Sequence, residues 1–181
     1  MAKLLILYAT VEGQTARVAT RVGERLRMAG HQVDLREASA GELLPDLAPF
    51  DAVIVGASVH YGHHPAYLRR ALRRQRQVLA SKPGAFFSIS LSADGPGANR
   101  PAAARYVRGF LRQAGWQPRD TVAFGGALQY SRYGRFKRWL VRAFVAVAGG
   151  DTDMSRDYEY TDWNAVARFA DAFATALRAK A

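Results

Sequence analysis

Residues 4–15 constrain this chain more than any other stretch. Leu4-Leu5-Ile6-Leu7-Tyr8-Ala9 is a continuous apolar run of the kind buried on both faces of a sheet, and Thr10-Val11-Glu12-Gly13-Gln14-Thr15 leads from it straight into a helical pattern. In that pattern Val18, Ala19, Val22, Leu26 and Ala29 recur at helical spacing, and Gly30 is placed to end the helix in a left-handed cap. A helix entered so abruptly leaves its first N–H groups without partners, at the end where the helix dipole puts partial positive charge. Such a turn binds anions, and phosphate is the natural guest. Gly13 lets the backbone approach the ligand closely, while Thr10 and Thr15 add hydroxyls.

The rest of the chain alternates in the same way. A short strand runs through Val33 and Leu35, and Leu43 to Pro49 is a connection broken by Pro45 and Pro49. Ala52-Val53-Ile54-Val55-Gly56-Ala57 is a third strand, Ala85 to Leu91 a fourth and Val122 to Leu128 a fifth. A last helix passes through Val166, Ala167, Ala170, Phe173, Ala174 and Leu177. Alternating strands and helices imply an α/β fold with a parallel sheet and right-handed crossovers. With 181 residues, 49% hydrophobic and no repeat or linker, residues 1–181 are expected to form one domain.

The loop lacks the lysine of an ATP-type phosphate loop, and no G-x-G-x-x-G follows a strand. It resembles the flavodoxin phosphate loop, commonly T-x-T-G-x-T. That resemblance implies FMN and a flavodoxin-like, doubly wound, five-stranded parallel sheet of order 2-1-3-4-5. Thr10, Val11, Glu12, Gly13, Gln14 and Thr15 are then the candidate phosphate site. Glu12 stands where a hydroxyl is usual. Its carboxylate would repel phosphate, so it is expected to point outward and offer only its backbone N–H.

In an open parallel sheet, ligands sit beyond the carboxyl ends of the strands where the winding reverses, here between the first and third strands. Ser58, Val59, His60, Tyr61, Gly62 and His63 would face the phosphate loop across that crevice, and Ser90, Leu91, Ser92 and Ala93 would supply the other wall. Tyr61 either offers an aromatic surface to the flavin ring or packs beneath its loop. His60 and His63 are close enough by topology to tune the flavin or move protons. No carboxylate set completes a metal site with His60, His63 and His64, so no metal is expected. Pro65 should open a helix as its first residue. In the next helix the stripe of Ala103, Tyr106, Val107, Phe110, Leu111 and Ala114 is assigned to packing.

With no cysteine, thiolate chemistry and cysteine-ligated clusters are excluded, so electrons in a redox role would be carried by an organic cofactor. The net charge of +11 points to an anionic partner. Arg69, Arg70, Arg73, Arg74 and Arg76 form one basic run, either a solvated face or a local field for acidic lipids and anionic ligands. A second lies in a long insertion in the fifth-strand region, about 129–160. As a helix it puts Arg135, Arg138 and Arg142 along one side and Trp139, Ala143, Phe144 and Val147 along another. Its apolar part is shorter than the ~20 residues needed to span a bilayer. It can lie in the headgroup plane or pack against the domain, and the charge excess favours the membrane surface. Met1-Ala2-Lys3 enter the first strand at once, leaving no room for a signal peptide, so a cytoplasmic location is expected.

Five stretches taken together resemble the bacterial quinone-dependent protoporphyrinogen IX dehydrogenases: 10–15, 56–63, Gly126-Ala127-Leu128-Gln129-Tyr130, Gly149-Gly150-Asp151-Thr152-Asp153 and Tyr160-Thr161-Asp162-Trp163. The resemblance covers essentially the whole chain. It implies FMN-dependent oxidation of protoporphyrinogen IX to protoporphyrin IX in heme biosynthesis, with electrons passed to menaquinone or ubiquinone. It also makes the insertion the distinguishing element. A basic, amphipathic insertion would suit the substrate's propionates and an acidic membrane surface, with peripheral attachment at the inner face of the cell membrane. Arg132, Arg135, Lys137, Arg138 and Trp139 are the candidate contacts. The rivals are a flavodoxin-like electron carrier, an NAD(P)H-quinone oxidoreductase and a nucleic-acid binder. Carriers are generally acidic, against the +11 here, and no nucleic-acid partner is expected. A homodimer is left open.

Overall fold

The computed structural model describes residues 1–132, 139, 142, 145, 146 and 149–179, with the side chain of Arg132 outside that description. Strands β1 (Lys3–Ala9), β2 (Gln32–Glu37), β3 (Ala52–Ser58), β4 (Gly84–Ser90) and β5 (Asp120–Gly125) form one parallel sheet in the order β2-β1-β3-β4-β5. β3 and β4 are buried at every residue, as strands covered on both faces are, and their runs are apolar except for Ser58, Ser88 and Ser90.

Alternate residues of the inner strands feed two cores, while β2 adds Val33 and Leu35 to one of them only. Leu4, Ile6, Ile54 and Phe87 pack with Val18 and Val22 of helix α1 (Gln14–Met28) and with Val166 and Phe173 of the last helix, α5 (Trp163–Arg178). Leu5, Leu7, Val55 and Phe86 pack with Leu68 and Leu72 of α2 (Ala66–Arg74), Leu79 of α3 (Arg76–Ala80) and Val107 and Phe110 of α4 (Arg100–Ala114). Gly56 pairs with Phe87 across β3 and β4, and a Cβ there would lie 2.0 Å from Phe87 Cζ, so the ring occupies the volume that the glycine leaves.

Two elements differ from the sequence expectation. Pro65 is the cap of α2 rather than its first residue, with an extended ψ of 123°. The run 122–128 is not one strand. β5 ends at Gly125, and Ala127–Leu128 form β6, which pairs antiparallel with β7 (Tyr158–Glu159). The break lies at Gly125-Gly126. Gly126 N–H donates to the Ser90 carbonyl at 3.1 Å, and a Cβ on Gly125 would lie 2.2 Å from the Tyr160 carbonyl oxygen. The returning end of the insertion passes too close for any side chain at that position.

Candidate functional site

The turn after β1 is shaped by two local features. Gly13 caps α1 with a φ of 91°, the left-handed region that glycine enters without cost, and Thr10 Oγ1 accepts a hydrogen bond from Gly13 N–H at 2.9 Å. The first intrahelical bond runs from Arg17 N–H to the Gly13 carbonyl, leaving the N–H groups of Gln14, Thr15 and Ala16 without acceptors inside the helix. They point beyond the carboxyl end of β1.

The loop after β3 closes on itself. His60 and His63 exchange two backbone hydrogen bonds, at 2.8 and 3.0 Å, around Tyr61 (φ 48°) and Gly62 (φ 80°). Positive φ at both central residues is the type I′ geometry, in which Gly62 is at home and Tyr61 is not. Tyr61 stands 78% exposed at the rim. The turn rests on α4, where a Cβ on Gly62 would come within 3.6 Å of the Tyr106 ring.

These loops surround a cavity of about 340 Å³ at the carboxyl ends of the strands, and Thr10, Glu12, Gln14, Thr15, Ser58, Val59, His60, Tyr61, Gly62, Ser90, Leu91 and Ser92 all line it. Glu12, expected to turn outward, is half-buried and contributes to the wall. Val11, Gly13, His63 and Ala93 do not line it. Val11 is exposed, Gly13 shapes the turn from behind, His63 faces solvent, and Ala93 belongs to a larger hollow of about 570 Å³ along the outer edge of β5. Sequence reasoning missed Tyr106, Ile89, Gly126, Ala127, Leu128, Gln129 and Val145 as lining residues. Tyr106 was assigned to packing because its position falls on the apolar stripe of α4. Val145 is helical and buried, so the insertion itself forms part of the wall.

The chemistry of the two hollows separates them. Of the five buried side-chain polar atoms without a hydrogen-bond partner among the described residues, four line the smaller cavity: Thr15 Oγ1, Ser58 Oγ, Ser90 Oγ and Gln129 Oε1. Orphaned buried polar atoms cost stability, and their convergence on one cavity marks a place built for a polar ligand. Three hydroxyls, an amide oxygen, free N–H groups at a helix start and two aromatic rings suit a phosphate-bearing, planar, heteroatom-edged group. Larger volume alone does not qualify the β5 hollow.

His64 proves structural. It is buried against Phe86 and Phe110, with Nε2 and Ser88 Oγ 2.9 Å apart, and burial, followed by the neighbouring His63, lowers its pKa to about 4. Gln14 commits its side-chain nitrogen to the protein itself. Its Nε2 donates to Glu159 Oε1 at 3.0 Å and to Thr161 Oγ1 at 2.8 Å. Arg17 Nη1 donates to Glu159 Oε2 at 2.9 Å. Burial alone would raise the Glu159 pKa, but the bonds from Arg17 and Gln14 outweigh it and hold the carboxyl below its usual range.

Within the insertion, Tyr130 is fully buried and its hydroxyl donates to the Asp151 carbonyl at 2.9 Å. Tyr160 Oη donates to Asp151 Oδ2 at 2.6 Å, and burial and that carboxylate together raise the Tyr160 pKa. Of the candidate substrate or membrane contacts, Trp139 is helical and 63% exposed. Arg132 ends a 3-10 turn, Tyr130–Arg132, and Arg135, Lys137 and Arg138 lie outside the described residues.

Strand order and the position of the cavity define a flavodoxin-type protein. The model of the flavodoxin domain matches residues 5–155. Flavodoxin 2 from Bacillus cereus superposes with a TM-score of 0.61 at 20% identity, covering 96% of this chain and 99% of that one, which carries the fold alone. The protoporphyrinogen IX dehydrogenase [quinone] of Escherichia coli K12 is 34% identical over 168 residues, 93% of this chain and 92% of that protein. The protein of the same name from Leishmania major is 35% identical over 176 residues, 95% of this chain and 74% of its own length. The chain belongs to this quinone-dependent protoporphyrinogen IX dehydrogenase family within the flavodoxin-domain proteins. Its cofactor is FMN, and the four orphaned atoms and the open helix start are groups an FMN would satisfy.

Proposed function

We propose that the chain oxidises protoporphyrinogen IX to protoporphyrin IX and delivers the electrons to a respiratory quinone at the surface of an acidic membrane. The observation that carries this reading is near-full-length similarity to dehydrogenases of that name, coupled with a cavity whose wall includes the insertion. Bound FMN would supply the redox chemistry, taking electrons from the tetrapyrrole in two-electron steps and giving them to quinone.

The chain's own residues bind and orient. The N–H groups of Gln14, Thr15 and Ala16, with the hydroxyls of Thr10 and Thr15, hold the phosphate. Their donors are fixed before binding, so little ordering is required. Ser58, Ser90 and Gln129 satisfy the polar groups of the ring system, and Tyr61 covers one side of the crevice. Val145 and Leu128 present an apolar wall and exclude water. The exposed Trp139 and the basic residues of the insertion, Arg132, Arg135, Lys137 and Arg138, meet the propionates or the lipid headgroups. Proton release needs no named base, since the mouth is open beside His60.

No helix among the described residues is long and apolar enough to cross a membrane, so attachment in this reading is peripheral. The test is anaerobic mixing of FMN-loaded protein with protoporphyrinogen IX, or separately with NADPH, followed by a quinone analogue. Bleaching of the flavin by the porphyrinogen and its return on adding quinone is the expected result. Bleaching by NADPH alone would overturn it in favour of an NAD(P)H-quinone oxidoreductase.

A further inference from the structure

The positive charge of this protein is not spread over it. Residues 52–119 hold eleven lysines and arginines and a single acid, Asp94, and so carry ten of the eleven net charges. That span supplies α2, α3 and α4, which together cover one face of the sheet. On the opposite layer four of the six arginines of α1 and α5 are matched, Arg17 with Glu159, Arg21 with Glu24, Arg25 with Asp171 and Arg168 with Asp162, while Arg27 and Arg178 donate to the backbone carbonyls of Val33 and Ala29. On the α2–α4 layer, Arg70, Arg73, Arg74, Arg105, Arg108 and Arg112 are all exposed and have no ion-pair partner among the described residues. Only the flanking Arg100 and Arg119 reach a carboxylate, at 3.6 and 3.9 Å.

The two helical layers thus differ sharply in how far their arginines are compensated: most are paired on one, and six exposed ones have no ion pair among the described residues on the other. Unpaired cations repel one another, and a layer that keeps them uncompensated gains nothing for its own stability. Such a layer attracts a partner that is itself negative.

We infer that the outer surface of α2, α3 and α4 is the docking face for an anionic phospholipid surface, so that this layer, and not the insertion alone, sets how the protein sits on the membrane. The inference rests on the proposed quinone-linked reading, which requires a lipid-soluble acceptor to reach the flavin. Position favours lipid over nucleic acid. The His60–His63 turn joins β3 to α2 and rests on Tyr106 of α4, so the cavity mouth opens at the border of this layer. The strongly exposed aromatic ring at that border, Tyr61, is a side chain suited to the headgroup zone. Helices lying side by side present their arginines as a sheet of charge that matches a bilayer's plane, with the site at its edge.

The test uses full-length, FMN-loaded protein and flotation with vesicles of phosphatidylcholine alone or with about 30% phosphatidylglycerol. Binding to the anionic vesicles only is expected. The triple variant Arg70→Gln/Arg73→Gln/Arg74→Gln should lose at least about tenfold in binding to them. A control with the same charge change on other surfaces, Arg21→Gln/Arg36→Gln/Arg168→Gln, should bind within about twofold of the parent. Both variants should keep their flavin absorbance and their turnover with a water-soluble quinone analogue. That readout separates failure of this inference from failure of the proposed reaction. Equal losses in the two triple variants, undiminished binding of the α2 variant, or binding of duplex DNA in place of vesicles would each overturn the inference.

Discussion

Gln14 Nε2 donates to Thr161 Oγ1 at 2.8 Å across 147 positions of sequence, and Thr161 Oγ1 donates in turn to the Gly125 carbonyl at 2.7 Å. The first residue of the phosphate-loop helix is thereby tied to the point where the insertion rejoins the domain. Thr161→Val keeps the shape but leaves a buried amide and a carbonyl one partner short. The expected loss is about 1–3 kcal/mol of unfolding free energy, read from urea melts. An unchanged midpoint would mean that this clamp contributes nothing.

Thr15→Val tests the orphaned hydroxyl. Without FMN, Thr15 Oγ1 is buried and unpaired, so replacing it with a methyl should leave the apoprotein as stable or slightly more so. FMN affinity should fall about tenfold, measured by quenching of flavin fluorescence. A less stable apoprotein with undiminished FMN affinity would remove Thr15 from the site.

Tyr61 occupies backbone space that suits glycine. Tyr61→Gly should relieve its φ of 48° and stabilise the apoprotein by about 1 kcal/mol while weakening FMN binding. Calorimetry of apo and loaded protein separates the two effects. Loss of both together would show that the ring serves packing instead.

His64 gives a pH signature. Its folded pKa of about 4 lies below the ordinary 6.5, so the unfolded chain binds the proton first as pH falls. The contribution is intact above about pH 6.5, declines as pH drops, and levels off below about pH 4. Between pH 7 and 5 this amounts to about 2 kcal/mol. Urea melts at both values should show that difference largely absent in His64→Gln. The same pH dependence in the variant would assign it to other groups.

Gly56 and Phe87 should behave as a coupled pair. Gly56→Ala should cost about 1–3 kcal/mol by overpacking, and much less in a Phe87→Leu background, because the clash is with the ring alone. Additive losses in the double-mutant cycle would contradict that geometry.

Much of the architecture could be read from periodicity. The apolar runs of β1, β3 and β4 and the stripes of α1, α4 and α5 need only local spacing, and the phosphate loop needs only its own residues. The split of the fifth run into β5 and β6 could not be read that way, because it arises where Tyr160 passes over Gly125, 35 residues away in sequence. His64 looked like part of a histidine-rich loop, yet its place is under Phe110. Tyr106 fitted a packing stripe and also lines the cavity. A side chain at the end of a helix stripe satisfies both descriptions until the neighbouring loop is placed.

Local composition therefore determined most of the strands of the parallel sheet, the helix start that follows Gly13 and how strongly charged the protein is, since each depends on residues close together in the chain. Which polar atoms are left unpaired around one cavity, which arginines find carboxylates and which face is left bare depended on segments brought together from distant positions. Hydrogen bonds and ion pairs act over a few ångströms of space, and only the packed sheet and its two helical layers determine which residues come that close.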